Sequence, residues 1–190
     1  MHNWPRYIDK SKNRPPRPLL VRALDFVEDK KSTLDIGAGA LNDSRYLLEK
    51  GFKQVIALDK EVSSMLIKEF DDKNFIFKKC AAEDYAFPTE SFDLINAQFV
   101  MPFVPKQKMD KLIKAIKKAL KSRGIFTGQF FGPKDSWSNR KDTQVYSRTE
   151  VDNFLDELDI LFFDEEEKDD KAAFQAMKHW HIFHFIARKK

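Results

Sequence analysis

The segment Leu34-Asp35-Ile36-Gly37-Ala38-Gly39 constrains this chain more than any other. Two glycines directly behind a short β-type run let the backbone turn sharply and approach a ligand closely. A helix that begins just after them turns unpaired N–H groups toward the same place. A second apolar run, Val55-Ile56-Ala57-Leu58-Asp59, ends on an acid twenty residues after Gly39, where a carboxylate can accept hydrogen bonds from ribose hydroxyls. Strand, glycine turn, helix and acid-ended strand in this order predict a βαβ unit that holds a nucleotide-type cofactor at its carboxyl edge.

The alternation continues along the chain. Strands are predicted near residues 33–36, 54–58, 75–78, 92–97 and 125–131, with helices near 43–50, 62–70 and 106–121 between them, a parallel-sheet signature. Before this stretch, Arg14-Pro15-Pro16-Arg17-Pro18 favours extended backbone ahead of a helix near 19–29, so residues 1–18 read as an extended segment, either a tail or a lid. After it, a helix near 149–158, with Thr149 as N-cap candidate, leads to β-forming runs at 160–166 and 179–188. Two strands this close predict an antiparallel pair. The acidic residues 164–170 read as a solvated connection between them. The whole, 1–190, is expected to be a single domain.

Composition excludes several classes. Hydrophobic residues make up 42% of the chain and eighteen are Phe, which fits a soluble globular protein with an aromatic core. Cys80 is the only cysteine, so no internal disulfide is expected and a reducing cytoplasm is the natural location. Neither a signal-type apolar run at the N-terminus nor eighteen consecutive apolar residues occur, so no membrane association is expected. The net charge of +4 comes from 34 basic residues against 30 acidic ones, a mild excess. The lysines of 106–121 interleave with Met109, Leu112, Ile113, Ile116, Ala119 and Leu120 at helical spacing, which makes them the wet face of a packed helix. A nucleic-acid footprint is not favoured.

The turn also selects among cofactors. A dinucleotide fingerprint needs glycine where this chain has Asn42, and Asp35, two residues before Gly37, would repel a pyrophosphate. The same carboxylate attracts the cationic amino group of a methionine moiety, so the residues favour S-adenosylmethionine. Asp35, Gly37, Ala38, Gly39, Asp59 and Lys60 are the first candidates to bind it.

These residues resemble motif I of class I methyltransferases and the strand that follows it. Ala82-Glu83-Asp84-Tyr85-Ala86-Phe87-Pro88 with Ser91-Phe92-Asp93-Leu94-Ile95 is similar to the adenine loop and fourth strand of that class, and Leu120-Lys121-Ser122-Arg123-Gly124-Ile125-Phe126 to the turn into strand five. Arg14-Pro15-Pro16-Arg17, Asn96-Ala97, Gly128-Gln129-Phe130-Phe131-Gly132 and Lys178-His179-Trp180-His181-Ile182-Phe183-His184 resemble the small tellurite-resistance, TehB-like branch. The resemblance implies an α/β Rossmann-like fold with a seven-stranded, mostly parallel sheet, an antiparallel C-terminal strand and helices on both faces. It also implies S-adenosylmethionine as cofactor, S-adenosylhomocysteine as product, and Ala82, Glu83 and Asn96 as further cofactor contacts. Two positions depart from the pattern. Leu41 stands where a third glycine is frequent, and Ala81 where an acid often meets the adenine amino group, leaving Glu83 and then Asp84 as substitutes.

Ligands of open α/β sheets collect beyond the carboxyl ends of the strands. Gln98 and Asn96 qualify by position, with Met101-Pro102-Phe103 and Trp137 as walls, Tyr7 and Arg14 closing from the N-terminal segment, and His179 or His181 reaching in from the last strand. His179 and His181 would share one face of that strand and His184 the other. Without cysteine partners or a helical His-Glu-x-x-His spacing, no metal site is expected. No residue is marked by its neighbours as a general base, which suits a soft sulfur, selenium or tellurium acceptor. The expected function is methyl transfer to a small-molecule acceptor by in-line displacement, in a monomer or dimer. The alternatives are an RNA or protein methyltransferase docking through the lysine-rich helix, and a non-catalytic module that binds the cofactor.

Overall fold

The computed structural model describes residues 3–61, 64–68, 70, 72–172 and 176–190. Its seven strands form one sheet in the order β3-β2-β1-β4-β5-β7-β6. β1 (Thr33–Ile36), β2 (Val55–Asp59), β3 (Phe75–Lys79), β4 (Phe92–Ala97) and β5 (Leu120–Phe131) run parallel, whereas β7 (Met177–Lys189) is antiparallel to both β5 and β6 (Leu158–Lys171). β1 and β4 are buried along their whole length, as strands covered on both faces must be.

Helices supply that cover. α5 (Lys106–Ala119) and α6 (Arg148–Leu155) pack Met109, Leu112, Ile113, Ile116, Val151 and Leu155 against one face of the sheet. On the other face, Leu19, Leu20 and Ala23 of α2 (Pro18–Ala23) and Leu47 of α3 (Asn42–Glu49) meet Val55, Leu94, Ile125 and Ile186. α4 spans Ser64–Lys68; Val62, Ser63 and Glu69 of the predicted 62–70 helix lie outside the described residues.

Four details differ from the sequence reading. Within residues 1–18, Trp4–Lys10 form a helix, α1, because Asn3 caps it by accepting from the Arg6 N–H and Pro5 suits its first turn. The helix predicted over 19–29 ends as α2 at Ala23 and tightens into a 3-10 turn over Leu24–Phe26. The cap of α6 is Ser147, not Thr149, in a complete capping box with Glu150. The acidic run 164–170 is strand, not connection, because its charges find partners across the hairpin. Glu165 meets His181, Glu166 meets His184, and Asp169 meets His179, while Lys168 pairs with Glu166 along the same strand.

Candidate cofactor and acceptor site

Gly37 and Gly39 adopt φ of +66° and +52°, the left-handed region open to glycine. The N–H groups of Gly37 and Ala38 both donate to the Leu58 carbonyl, at 2.7 and 3.1 Å, tying the turn to the end of β2. A Cβ on Gly37 would collide with the Val100 side chain, whereas one on Gly39 would meet only the Gly37 carbonyl, at 3.8 Å, so Gly39 fronts open space. Asp59 holds the turn in shape: one carboxylate oxygen accepts from the Gly39 N–H and the other from the Glu61 N–H, both at 2.8 Å. Leu41, at the frequent third-glycine position, takes φ +63° itself and buries its side chain completely against the group that includes Ile8 and Ala57. Asn42 turns away from the cavity and donates to the Ser11 carbonyl at 2.8 Å, fastening the N-terminal segment to the turn.

Beneath the turn runs a buried polar chain. Asp35 accepts from Ser44 Oγ at 2.6 Å and from Asn96 Nδ2 at 2.8 Å; Gln98 Nε2 donates to Asn96 Oδ1 at 2.9 Å; Gln129 Nε2 donates to Gln98 Oε1 at 2.6 Å; and the Phe99 N–H donates to Gln129 Oε1 at 2.9 Å. Burial, reinforced by the Asp43 charge, pushes the Asp35 carboxyl up to about 7, against the opposing pull of Ser44, Asn96 and Arg14. Asp43 in turn accepts from the Arg17 N–H and pairs with the Arg14 guanidinium, pinning the chain that leads back to α1.

These elements enclose a cavity of about 920 Å³ at the carboxyl ends of the strands. On its β1–β3 side the walls are Gly37–Ala40, Leu58–Glu61 and Cys80–Glu83. On its β4–β7 side they are Gln98, Phe99, Phe131, Trp137, Glu166, Lys168, Trp180, Ile182 and His184, and Trp4, Tyr7, Arg14 and Arg17 approach from α1 and its linker. α1 is docked: Trp4 packs edge-on to Phe103 at 4.8 Å, and Arg17 donates to the Tyr7 hydroxyl while lying 4.5 Å from the centre of the Phe99 ring. Trp180 contacts the rings of Phe99, Phe131 and Trp137 at 5.8–6.2 Å, forming one aromatic wall.

Of the residues singled out from sequence, Gly37, Ala38, Gly39, Asp59, Lys60, Ala82, Glu83, Tyr7, Arg14, Gln98 and Trp137 line this cavity. Asp35 and Asn96 do not; they lie under it in the polar chain, 2% and 0% exposed. His179 also lies outside, on the opposite face of β7, bonded to Asp169 at 2.9 Å, and His181 faces Glu165. The histidine that reaches the cavity is His184, because β7 alternates and its Trp180, Ile182 and His184 share one face. Asp84 turns outward to Lys108, at 3.1 Å, leaving Glu83 as the acid at the wall beside Ala81. Cys80, directly after β3, lines the wall; burial, with Asp84 and Glu83 nearby, pushes its thiol up. Arg17, Phe99, Glu166, Trp180 and His184 were not singled out as site residues. Only the pairing of β7 with β5 shows which face of that strand looks into the cavity.

A 3-2-1-4-5-7-6 sheet with a glycine turn after its first strand and an acid at the end of its second is the Rossmann-like fold of class I methyltransferases. The chain shares that fold with solved S-adenosylmethionine-dependent methyltransferases. Residues 34–127 match the family described as methyltransferase domain. TehB from Haemophilus influenzae superposes with a TM-score of 0.74 at 18% identity over 90% of this chain, which spans 61% of the TehB chain. A SAM-dependent methyltransferase from Methanosarcina mazei gives 0.70 at 18% identity, over 92% of this chain and 98% of that one. The 1,6-didemethyltoxoflavin-N1-methyltransferase of Burkholderia thailandensis, with 1,6-didemethyltoxoflavin and S-adenosylhomocysteine bound, gives 0.68 at 19% identity over 92% and 77%. No curated protein sequence matches the chain.

Proposed function

We propose that this chain transfers a methyl group from S-adenosylmethionine to a small-molecule acceptor by in-line displacement. The observation that carries the reading is that one cavity of about 920 Å³ joins the glycine turn to an aromatic wall with α1 docked at its side. That volume suits a cofactor and a compact acceptor held together. The described residues fit the cofactor. Gly39 fronts open space, Asp59 stands where ribose hydroxyls can donate to it, and the buried Nε of Arg14 has no hydrogen-bond partner, a donor left for an anionic group such as the cofactor carboxylate. S-adenosylmethionine supplies a methyl carbon made electrophilic by its sulfonium; the chain's own task is to align the acceptor with it and exclude water.

A docking role for the α5 lysines has less support, since Lys106, Lys108 and Lys117 pair with Glu150, Asp84 and Asp156. Among the described residues no helix is long and apolar enough to cross a membrane. With Cys80 as the lone thiol, we place the enzyme in a reducing cytoplasm.

Calorimetric titration tests the core of this reading. S-adenosylmethionine and S-adenosylhomocysteine should bind at micromolar affinity and NADH should not, and Asp59→Ala should weaken the first two by tenfold or more, about 1.4 kcal/mol. Tight NADH binding, or an unchanged affinity in the variant, refutes it.

A further inference from the structure

We propose that His184 is the general base of this enzyme and that its acceptor is a planar aromatic or heteroaromatic ring carrying a hydroxyl or ring N–H. The proposal rests on the methyl-transfer reading above and deepens it.

Three observations meet at one place. First, His184 lines the cavity, and its Nε2 lies 2.9 Å from Glu166 on the adjacent strand. Although burial opposes it, Lys168 and His184 hold the Glu166 carboxyl below the usual range, so Glu166 is ionised and accepts from Nε2–H. This fixes the tautomer: Nδ1 carries the free lone pair and makes no hydrogen bond among the described residues. A base oriented by a carboxylate and left with an open nitrogen is the arrangement general-base catalysis needs.

Second, the sheet register sets the distance. Asp35 pairs with Asn96, Asn96 with Thr127 and Thr127 with Ile186, and two residues further along the strands Gln129 pairs with His184, level with the turn at Gly37 across β1, β4, β5 and β7. Three strand spacings of about 4.8 Å separate them by roughly 14 Å, room for a cofactor's methionine arm and a small ring between. Third, Phe99, Phe131, Trp137 and Trp180 form the wall beside His184, a surface on which a flat ring packs with little loss of freedom. The charged neighbours of His184 are Glu166, Lys168 and its cross-strand partner Asp164 on β6; its partner on β5 is the neutral Gln129; and Arg14 and Arg17 line the cavity opposite.

The step balances as follows. The acceptor oxygen or nitrogen bonds to the methyl carbon, the carbon–sulfur bond breaks with its electron pair staying on sulfur, and the acceptor's proton passes to His184 Nδ1. A thiolate or selenite would use neither the base nor its carboxylate.

The test is product analysis by mass spectrometry with S-adenosylmethionine and a panel of naphthols, hydroxyquinolines and indazoles, the naphthols and hydroxyquinolines each set beside the matching thiol. The wild type should give an O- or N-methyl product. His184→Gln should lower the oxygen-over-sulfur rate ratio by about 10²-fold and Glu166→Gln by about tenfold, with S-adenosylmethionine affinity and circular dichroism showing each variant folded. The proposal is overturned if only thiols or selenite are methylated, if His184→Gln keeps the ratio within threefold of wild type, or if the ring panel yields no product while the cofactor binds. Failure to bind S-adenosylmethionine at all overturns the underlying function instead, so the two failures are distinguishable.

Discussion

Asp35→Asn isolates the electrostatic strain under the glycine turn. Asp35 is 2% exposed, and its two oxygens face donors from Ser44 and Asn96. Asn preserves the shape and the bond from Asn96 Nδ2, while the Ser44 hydroxyl can rotate to accept from the new amide. The carboxyl rises from 3.8 to about 7 on folding. At 1.36 kcal/mol per tenfold change in proton affinity this is about 4 kcal/mol of pH-linked stability. A carboxyl whose folded value lies above its unfolded one binds its proton more tightly in the native state. The contribution is therefore fully present below pH 3.8 and lost as pH climbs through 7. About 3 kcal/mol of it falls between pH 5 and pH 9. Urea unfolding of cofactor-free wild type and Asp35→Asn across that range should show the wild type losing about 3 kcal/mol relative to the variant, most of it between pH 5 and pH 7, with a plateau above. A difference that stays flat within about 0.5 kcal/mol would refute the claim that Asp35 is forced to ionise in a desolvated place.

Other features make separate predictions. Lys178 and Asp135 form an ion pair with side chains 2% and 0% exposed, the ammonium lying 3.7 Å from the Trp180 ring centre; Asp135→Ala should cost about 3–5 kcal/mol in chemical denaturation, with part recovered on adding Lys178→Met. A loss under 1 kcal/mol would show the pair to be no stronger than a surface one. Gly132→Ala drives a Cβ into the His181 ring, which accepts from the Lys134 N–H and meets Glu165, so thermal melts should register a loss of about 1–3 kcal/mol. Leu41→Gly relieves a left-handed backbone but empties a fully buried site; a net loss of about 2 kcal/mol is expected, and a gain would mean that backbone strain outweighs packing there.

The cofactor half of the site was legible because its constraints are local. The two glycines, the acid at the end of β2 and the small residues after β3 act within a few residues of the strand ends that carry them. Periodicity also gave the order of strands and helices, and the fold class followed from it. Where chain entropy and local capping compete, sequence alone was not enough: α1 needed the Asn3 cap and a docking surface at Phe103 for Trp4 and at Leu41 and Ala57 for Ile8, and the 164–170 strand needed histidines arriving from β7 to offset its charge.

Sequence by itself determined that Asp35, Gly37, Gly39 and Asp59 gather at one sheet edge, because each follows from a strand's length and end. Only the tertiary structure decided that Asp35 and Asn96 lie beneath the cavity, that Leu41 holds a turn expected of glycine, and that His184 rather than His179 looks inward. At Leu41 complete burial of the side chain holds the positive φ, and for the strand residues Asp35, Asn96 and His184 one reason serves. A strand alternates its faces every residue, and which face is buried is fixed by its neighbours in the sheet, not by the strand itself.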